Sequence, residues 1–107
     1  MVARIIPKIT ALEAEAAASL FLFDHLPDRF CAGQPQLDEV SKLWRVPVLL
    51  SYPFIGPVGE VGEITVSVFE EKVVSHTPLD EMRDRGLQIY EQRRADIEAA
   101  FSQTRDA

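Results

Sequence analysis

The stretch Leu43–Tyr52, which reads LWRVPVLLSY, decides the fold class of this chain. Its large apolar residues occupy every second position, at Trp44, Val46, Val48, Leu50 and Tyr52. Because successive side chains of a strand point to opposite faces, this spacing predicts an extended strand with one apolar face. Pro47 has no amide hydrogen to donate, which confines it to a sheet edge, a bulge or an outward-facing position on the ladder.

Three further segments predict strands around this one. Residues 63–68 alternate polar and apolar side chains, so one face of the sheet should be apolar and the other should contact water. After a reversal at Glu70-Glu71, residues 72–75 predict a short return strand, and another short strand is expected near residues 29–32. The pattern therefore indicates a small antiparallel β-meander of about three to four strands.

A first helix is predicted to begin at Ala11. Thr10 and Glu13 have the spacing of a capping box, in which each side chain accepts a hydrogen bond from the backbone amide of the other residue. Pro27 lacks the next amide donor, so the helix should end near Leu26. Apolar residues recur at steps of three and four and predict a buried stripe of Leu12, Ala16, Leu20, Phe23 and Leu26.

A second, longer helix is predicted from Leu79 to about Phe101. Thr77 supplies a hydroxyl cap, Pro78 suits the first helical position, and Asp80 places a carboxylate in the first turn. One side of this helix carries Leu79, Met82, Gly86, Ile89, Tyr90, Arg93, Ile97 and Phe101. At about 1.5 Å per residue the helix is longer than a small sheet can cover. Its far end needs another surface to pack against, and self-association is one candidate.

The predicted order is α-β-β-β-β-α, one small α+β domain spanning residues 1–107. The 17 acidic and 11 basic residues give a net charge of -6, which argues against nucleic-acid binding because the phosphate backbone is also negative. The longest apolar run, Leu20–Phe23, is far shorter than the roughly 20 residues that span a bilayer. The first ten residues lack the apolar core of a secretory signal. We therefore expect no membrane span and a cytoplasmic location.

The glycines at positions 56, 59 and 62 invite comparison with phosphate-binding loops. A Walker loop requires Lys and Ser/Thr after its last glycine, and a dinucleotide loop opens a helix. Here the glycines lead into a strand and stand beside Glu60 and Glu63. A wide turn or a β-bulge is the better interpretation of the spacing.

His25 stands between Asp24 and Asp28 and near Cys31, the only cysteine of the chain. These residues suggest a metal site or a cysteine and histidine pair, but neither has a defined ligand spacing. A histidine at the negative end of a helix is favoured for electrostatic reasons alone, and a free cysteine packs as a small apolar residue. The sequence therefore predicts no catalytic residue, no metal ligand and no cofactor.

Several segments resemble a PepSY-type module over residues 7–75. Ile9-Thr10 leads into an alanine-rich helix, Trp44–Val48 has the form Trp-x-Val-x-Val, and Val73-Val74 closes the sheet after an alternating strand. The resemblance implies an inhibitory or interaction domain, in a family whose members are usually exported. Trp44–Val48 and Val58–Ile64 also resemble segments of small uncharacterised bacterial proteins of cyanobacterial type, which implies a fold and no activity.

The sequence favours a non-catalytic module that binds another protein or a second copy of itself as a dimer. The residues expected to carry the contact are Trp44, Tyr52, Ile89, Tyr90, Arg93, Ile97 and Phe101. One alternative is a small-ligand-binding or accessory enzyme domain that uses the face of Trp44 and Tyr52, for which a concave pocket with converging polar groups is expected. Another is an acidic antitoxin or inhibitor that neutralises a basic partner.

Overall fold

The computed structural model describes residues 6–105, with side chains as far as Ser102. In that range the elements are α1 (Ala11–His25), β1 (Phe30–Ala32), β2 (Gln36–Asp38), β3 (Leu43–Tyr52), β4 (Gly56–Ser67), β5 (Val73–His76), α2 (Leu79–Gln92) and α3 (Arg94–Arg105). A helix, an antiparallel sheet and two further helices make an α+β fold, which confirms the predicted class. The structure adds one strand, β2, and divides the predicted last helix into two.

β3 has the predicted bounds and lies at the centre of the sheet. β1 and β2 both pair with one edge of β3, β4 pairs with its other edge, and β5 pairs with β4. The predicted apolar face is confirmed by the burial of Trp44, Val46, Val48 and Leu50. α1 and α2 cover this face. The opposite face carries exposed polar groups such as Arg45, whose Nη2 lies 2.9 Å from the Glu63 Oε1.

Pro47 lies inside the central strand, but its nitrogen, which has no hydrogen to donate, faces a segment that forms no strand. The N–H and C=O groups of one residue in an antiparallel strand point towards the same neighbour. The Pro47 carbonyl accepts from the Gly33 amide at 2.7 Å, so the Pro47 nitrogen faces residues 33–35, between β1 and β2. No strand is formed by those residues. A gap in the neighbouring strand therefore accommodates the proline, rather than a sheet edge.

Two β-bulges in β4 explain the spacing of its glycines. The register advances by two residues of β4 for one of β3 at Val61 and again at Val58. The three-residue period of the glycines thereby matches the two-residue period of β3, in the pairs Val48 with Gly62, Leu50 with Gly59 and Tyr52 with Gly56. Directly opposed residues share a face of the sheet, so these glycines all lie on the face that the helices cover. The predicted bulge is confirmed.

α2 packs directly on two of these glycines, Gly59 and Gly62. A Cβ atom at Gly62 would lie 2.8 Å from the Met82 Cγ, and one at Gly59 would lie 2.7 Å from the Ile89 Cδ1. The predicted stripe of α2 is confirmed at Met82 and Gly86, which are both buried. The glycines therefore allow a closer approach of helix and sheet than any side chain would permit.

α1 begins at Ala11 and has the predicted capping box. The Glu13 amide donates to the Thr10 Oγ1 at 3.1 Å, and the Thr10 amide donates to the Glu13 Oε1 at 2.9 Å. The helix is tied to the sheet just before this cap, because the Trp44 Nε1 donates to the Ile9 carbonyl at 2.7 Å. The start and end of the first helix were therefore predictable from its caps.

The predicted buried stripe of α1 is wrong, except at Leu26. The helix buries Ala14, Ala18 and Leu22 instead. The predicted residues point to solvent, with Leu12, Leu20 and Phe23 exposed by 75%, 64% and 79%. α1 is apolar on two sides, and the side with two alanines faces the sheet because small side chains let the helix axis come close.

Thr77 does not cap α2, in contrast to the prediction. Its Oγ1 accepts from the Glu63 amide at 2.9 Å, and its amide donates to the Glu63 carbonyl at 2.9 Å. These bonds extend the contact between β4 and the chain that follows β5. α2 instead begins after Pro78 without a side-chain cap.

The predicted single helix to Phe101 is also wrong, because the chain leaves helical geometry at Arg93 (φ -109°, ψ 13°). α3 then places Phe101 against the end of the β3–β4 hairpin, with ring centroids 6.5 Å from Tyr52 and 6.0 Å from Phe54. Both contacts are edge-to-face, an arrangement that aromatic rings prefer. The end of the last helix thus packs on its own hairpin, a long-range contact that helix periodicity does not reveal.

Candidate functional site

The outer side of α1 is the most apolar helix surface left open by the fold. We call Leu12, Ala16, Leu20 and Phe23 the outer face of α1. All four side chains are exposed, and they align along the helix on the side away from the sheet. A helix that is apolar all round is normally buried all round. The outer face of α1 therefore has the character of a surface that is covered by something else.

Burial of the exposed side chains of this face would be worth a large free energy for a small domain. Full burial of one leucine or phenylalanine side chain is worth about 1.5–3 kcal/mol. Three such residues are mostly exposed here, whereas soluble proteins keep contiguous apolar patches small. Contact with a partner would recover much of this energy, less the cost of association.

Negative charge surrounds the outer face of α1. Glu13 and Asp24 lie along one side of it and Glu15 along the other, and residues 11–25 contain no lysine or arginine. Glu71 approaches Glu13 from the turn before β5, and hydrogen bonding and repulsion with Glu13 raise the pKa of the Glu71 carboxyl. The face combines an apolar centre with an acidic border.

The second surface feature is an aromatic cluster at the end of the hairpin. The Tyr52 ring lies 6.2 Å from the Tyr90 ring and 6.5 Å from the Phe101 ring, centroid to centroid. Arg29 places its guanidinium carbon 5.3 Å from the centre of the Tyr52 ring, within cation–π range. The structure therefore brings together three of the residues that the sequence suggested for a contact.

The other four suggested residues have different surroundings. Trp44 is buried in the core under α1 and hydrogen-bonded to Ile9, and Ile97 is only 2% exposed. Ile89 packs on Gly59. The Arg93 Nε lies 3.1 Å from the Asp96 Oδ2, in an ion pair at the helix break. Of the seven, Tyr52, Tyr90 and Phe101 thus offer the aromatic surface.

A shallow groove of about 430 Å³ runs beside the aromatic cluster, between α2 and the ends of β1 and β3. It is lined by Pro27, Arg29, Phe30, Leu50, Tyr52, Arg83, Gly86, Leu87 and Tyr90. Burial, with a contribution from Tyr90, raises the pKa of the Tyr52 hydroxyl, and Arg29 opposes the rise. The sequence indicated Tyr52 and Tyr90 but not Arg29 or Leu87, because the approach of Pro27–Phe30 to α2 is a tertiary contact.

The residues weighed for catalysis have ordinary structural roles. The His25 Nδ1 lies 2.8 Å from the Phe21 carbonyl, and its ring stacks on the Phe21 ring at 4.2 Å. Burial raises the pKa of the Cys31 thiol, although Ser51 offers it a hydrogen bond, so the reactive thiolate is disfavoured. Within residues 6–105 no three His, Cys, Asp or Glu side chains come together as a metal site would require.

The chain matches no protein-family model, no curated protein and no solved structure. In the part of the chain that the structure describes, no helix combines the length and apolar character needed to cross a bilayer. The function must therefore be argued from the surfaces themselves.

Proposed function

We propose that this protein is a non-catalytic protein-interaction module and that the outer face of α1 is its docking surface. The observation that carries the proposal is the placement of Leu12, Leu20 and Phe23 in solvent on a helix whose other side is already buried. Exposed apolar patches of this kind are typical of interaction sites in soluble proteins. A partner helix or groove that packs against α1 would complete its burial.

The acidic border favours a different protein over a second copy of this chain. In an antiparallel α1–α1 pair, Glu13 of one copy would approach Asp24 of the other, and in a parallel pair it would approach Glu15 of the other. Like charges across an interface oppose association and select against that partner. The partner that fits is an apolar helix flanked by lysine or arginine.

A pair of designed peptides tests this assignment. A dye-labelled amphipathic helix of leucine and lysine should bind the protein, as followed by fluorescence anisotropy, whereas the same peptide with every lysine replaced by glutamate should not. Phe23→Asp should weaken binding of the basic peptide by about tenfold or more, since it removes the largest side chain of the face.

A charge-matched control separates docking from general attraction to an acidic protein. Val40 is 94% exposed and lies in the turn between β2 and β3, so it is not part of the outer face of α1. Val40→Asp adds the same charge as Phe23→Asp and should leave the affinity almost unchanged. Equal weakening by both variants would show that only net charge attracts the peptide. The proposed docking surface would then be wrong.

The acidic antitoxin or inhibitor suggested by the sequence would also require a basic partner. It differs in what holds the partner, because a contact made mainly by charges weakens steeply with salt, whereas an apolar contact does not. Binding of the basic peptide should therefore persist in part at high salt. Complete loss of peptide binding at high salt would favour the acidic inhibitor, for which the outer face of α1 is not the binding site.

A further inference from the structure

The groove beside Tyr52 has a lining whose charge is opposite in sign to that of the whole chain. None of its nine lining residues is acidic, in a chain with 17 acidic residues and a net charge of -6. Two of the nine are arginines, Arg29 and Arg83. A positive rim on an apolar groove is the complement of an apolar molecule with an anionic group.

Arg29 differs from the other arginines whose side chains the structure describes. Each of the others forms an ion pair with a carboxylate, namely Arg45, Arg83, Arg85, Arg93 and Arg94. Among the described residues no carboxylate oxygen lies within 4.0 Å of the Arg29 guanidinium, which lies over the face of the Tyr52 ring instead. Its hydrogen-bond donors are therefore available to a ligand.

Arg83 holds the opposite side of the groove in a fixed position. Its Nη1 lies 3.1 Å from the Asp80 Oδ1, and its Nη2 donates to the His25 carbonyl at 3.2 Å. This arginine is committed to the contact between α1 and α2 and its charge is balanced by Asp80, so it shapes the groove and leaves Arg29 as the group that can bind an anion. The apolar surface between the two arginines comes from Phe30, Leu50 and Leu87.

We propose that this groove binds a small molecule with an apolar or aromatic body and a carboxylate group, which Arg29 binds. A volume of about 430 Å³ falls within the usual range of small-molecule sites. Guanidinium is well suited to a carboxylate because its donors form a planar fork. The site is separate from the outer face of α1 and does not depend on the function proposed for that face.

Three matched probes test the ligand class by amide NMR titration. 4-Phenylbutanoate has the carboxylate, 4-phenylbutanamide is its neutral analogue, and 4-phenylbutylammonium carries the opposite charge. The carboxylate should shift amide signals of residues 29–30, 50–52 and 83–90, and it should bind about tenfold more tightly than the amide because of one charge-assisted contact. The ammonium compound should bind most weakly.

Arg29→Gln isolates the role of the guanidinium. Arg29 is exposed and its side chain makes no hydrogen bond to another described residue, so the variant should fold normally, which the unchanged signals outside the groove would verify. The carboxylate should then bind no better than the amide, whose own affinity should stay the same. The proposal is overturned if none of the probes binds, if carboxylate and amide bind equally, if Arg29→Gln changes neither, or if the shifts map to α1.

Discussion

α1 and α2 cover the same face of one sheet, but they differ in how much of their apolar surface the sheet buries. α2 has a single apolar stripe, of which Met82 and Gly86 are fully covered, and its remaining surface is rich in ion pairs such as Arg85 with Glu81. α1 is apolar on both sides, so burial of Ala14, Ala18 and Leu22 still leaves Leu12, Leu20 and Phe23 in solvent. Of the large apolar residues of α2, only Leu87 is exposed, beside the groove. A helix apolar on both sides has a second surface that the domain does not use.

The two sides of α1 should therefore differ sharply in their contribution to stability. Leu22 is 2% exposed and Leu20 is 64% exposed, in the same helix and with the same side chain. We expect Leu22→Ala to lower the free energy of unfolding by about 2–5 kcal/mol, because it leaves a cavity in the core. Leu20→Ala should change it by less than about 0.5 kcal/mol. Chemical denaturation of both variants checks this, and similar losses would show that the outer face is packed within the domain.

The contact of α2 with the glycine row should be nearly as sensitive. Gly62→Ala would place a Cβ atom 2.8 Å from the Met82 Cγ and 2.9 Å from the Thr77 Cβ, so we expect a loss of about 1–3 kcal/mol in unfolding free energy. In a double-mutant cycle with Met82→Ala, the two losses should sum to more than the loss of the double variant, since the shorter side chain relieves the clash. Strict additivity would contradict the close approach of helix and sheet.

The starts of the two helices allow a third comparison, in which the expected loss of unfolding free energy is about 1 kcal/mol. Thr10→Ala removes the cap of α1 and should cost about 0.5–2 kcal/mol. Thr77→Ala leaves the start of α2 intact but frees the Glu63 amide from its hydrogen bond. Hydrogen exchange at Glu63 should therefore speed up in Thr77→Ala and not in Thr10→Ala. Faster exchange at the first amides of α2 instead would show that Thr77 is a helix cap.

The smallest expected effect concerns the acidic border of α1. A hydrogen bond with Glu13 and repulsion from it raise the pKa of Glu71 above its ordinary value of 4.5. When both groups are ionised the hydrogen bond is lost and the charges repel, so stability falls as the pH rises through the raised pKa. Glu71→Gln removes this repulsion and should raise the melting temperature slightly at neutral pH. The gain should vanish at about pH 3, where Glu71 is protonated in the parent protein. A gain that persists there would have another cause.

The sequence predicted those features that local chemistry controls. The alternation in residues 43–52, the capping box at Thr10 and the bulged glycine spacing each depend on neighbours in the chain, and each was confirmed. The orientation of α1 was not predictable from periodicity, because residues 12, 16, 20 and 23 form as regular a stripe as residues 14, 18 and 22. Close packing on the sheet selected the stripe with more alanine.

The candidate sites were harder to predict, because each is made by contacts between distant segments. Tyr52 could be suggested as a polar-ended aromatic residue of the long strand and Tyr90 as part of the stripe of the last helix, and the structure places their ring centroids 6.2 Å apart. Arg29 could not, since its position over the Tyr52 ring depends on the pairing of β1 with β3. The outer face of α1 was visible in the sequence as an apolar stripe, but its residues were expected to lie in the core.

Site-specific photo-crosslinking in a lysate of the native host tests the docking surface most directly. p-Benzoylphenylalanine is placed at position 23 on the outer face of α1, or at position 40 as the exposed control, and the joined peptide is identified by mass spectrometry. We predict a covalent link at position 23, and none at position 40, to a segment of another protein that is apolar and flanked by lysine or arginine. A link from position 23 only to a second copy of this chain, or no link there, would contradict the account.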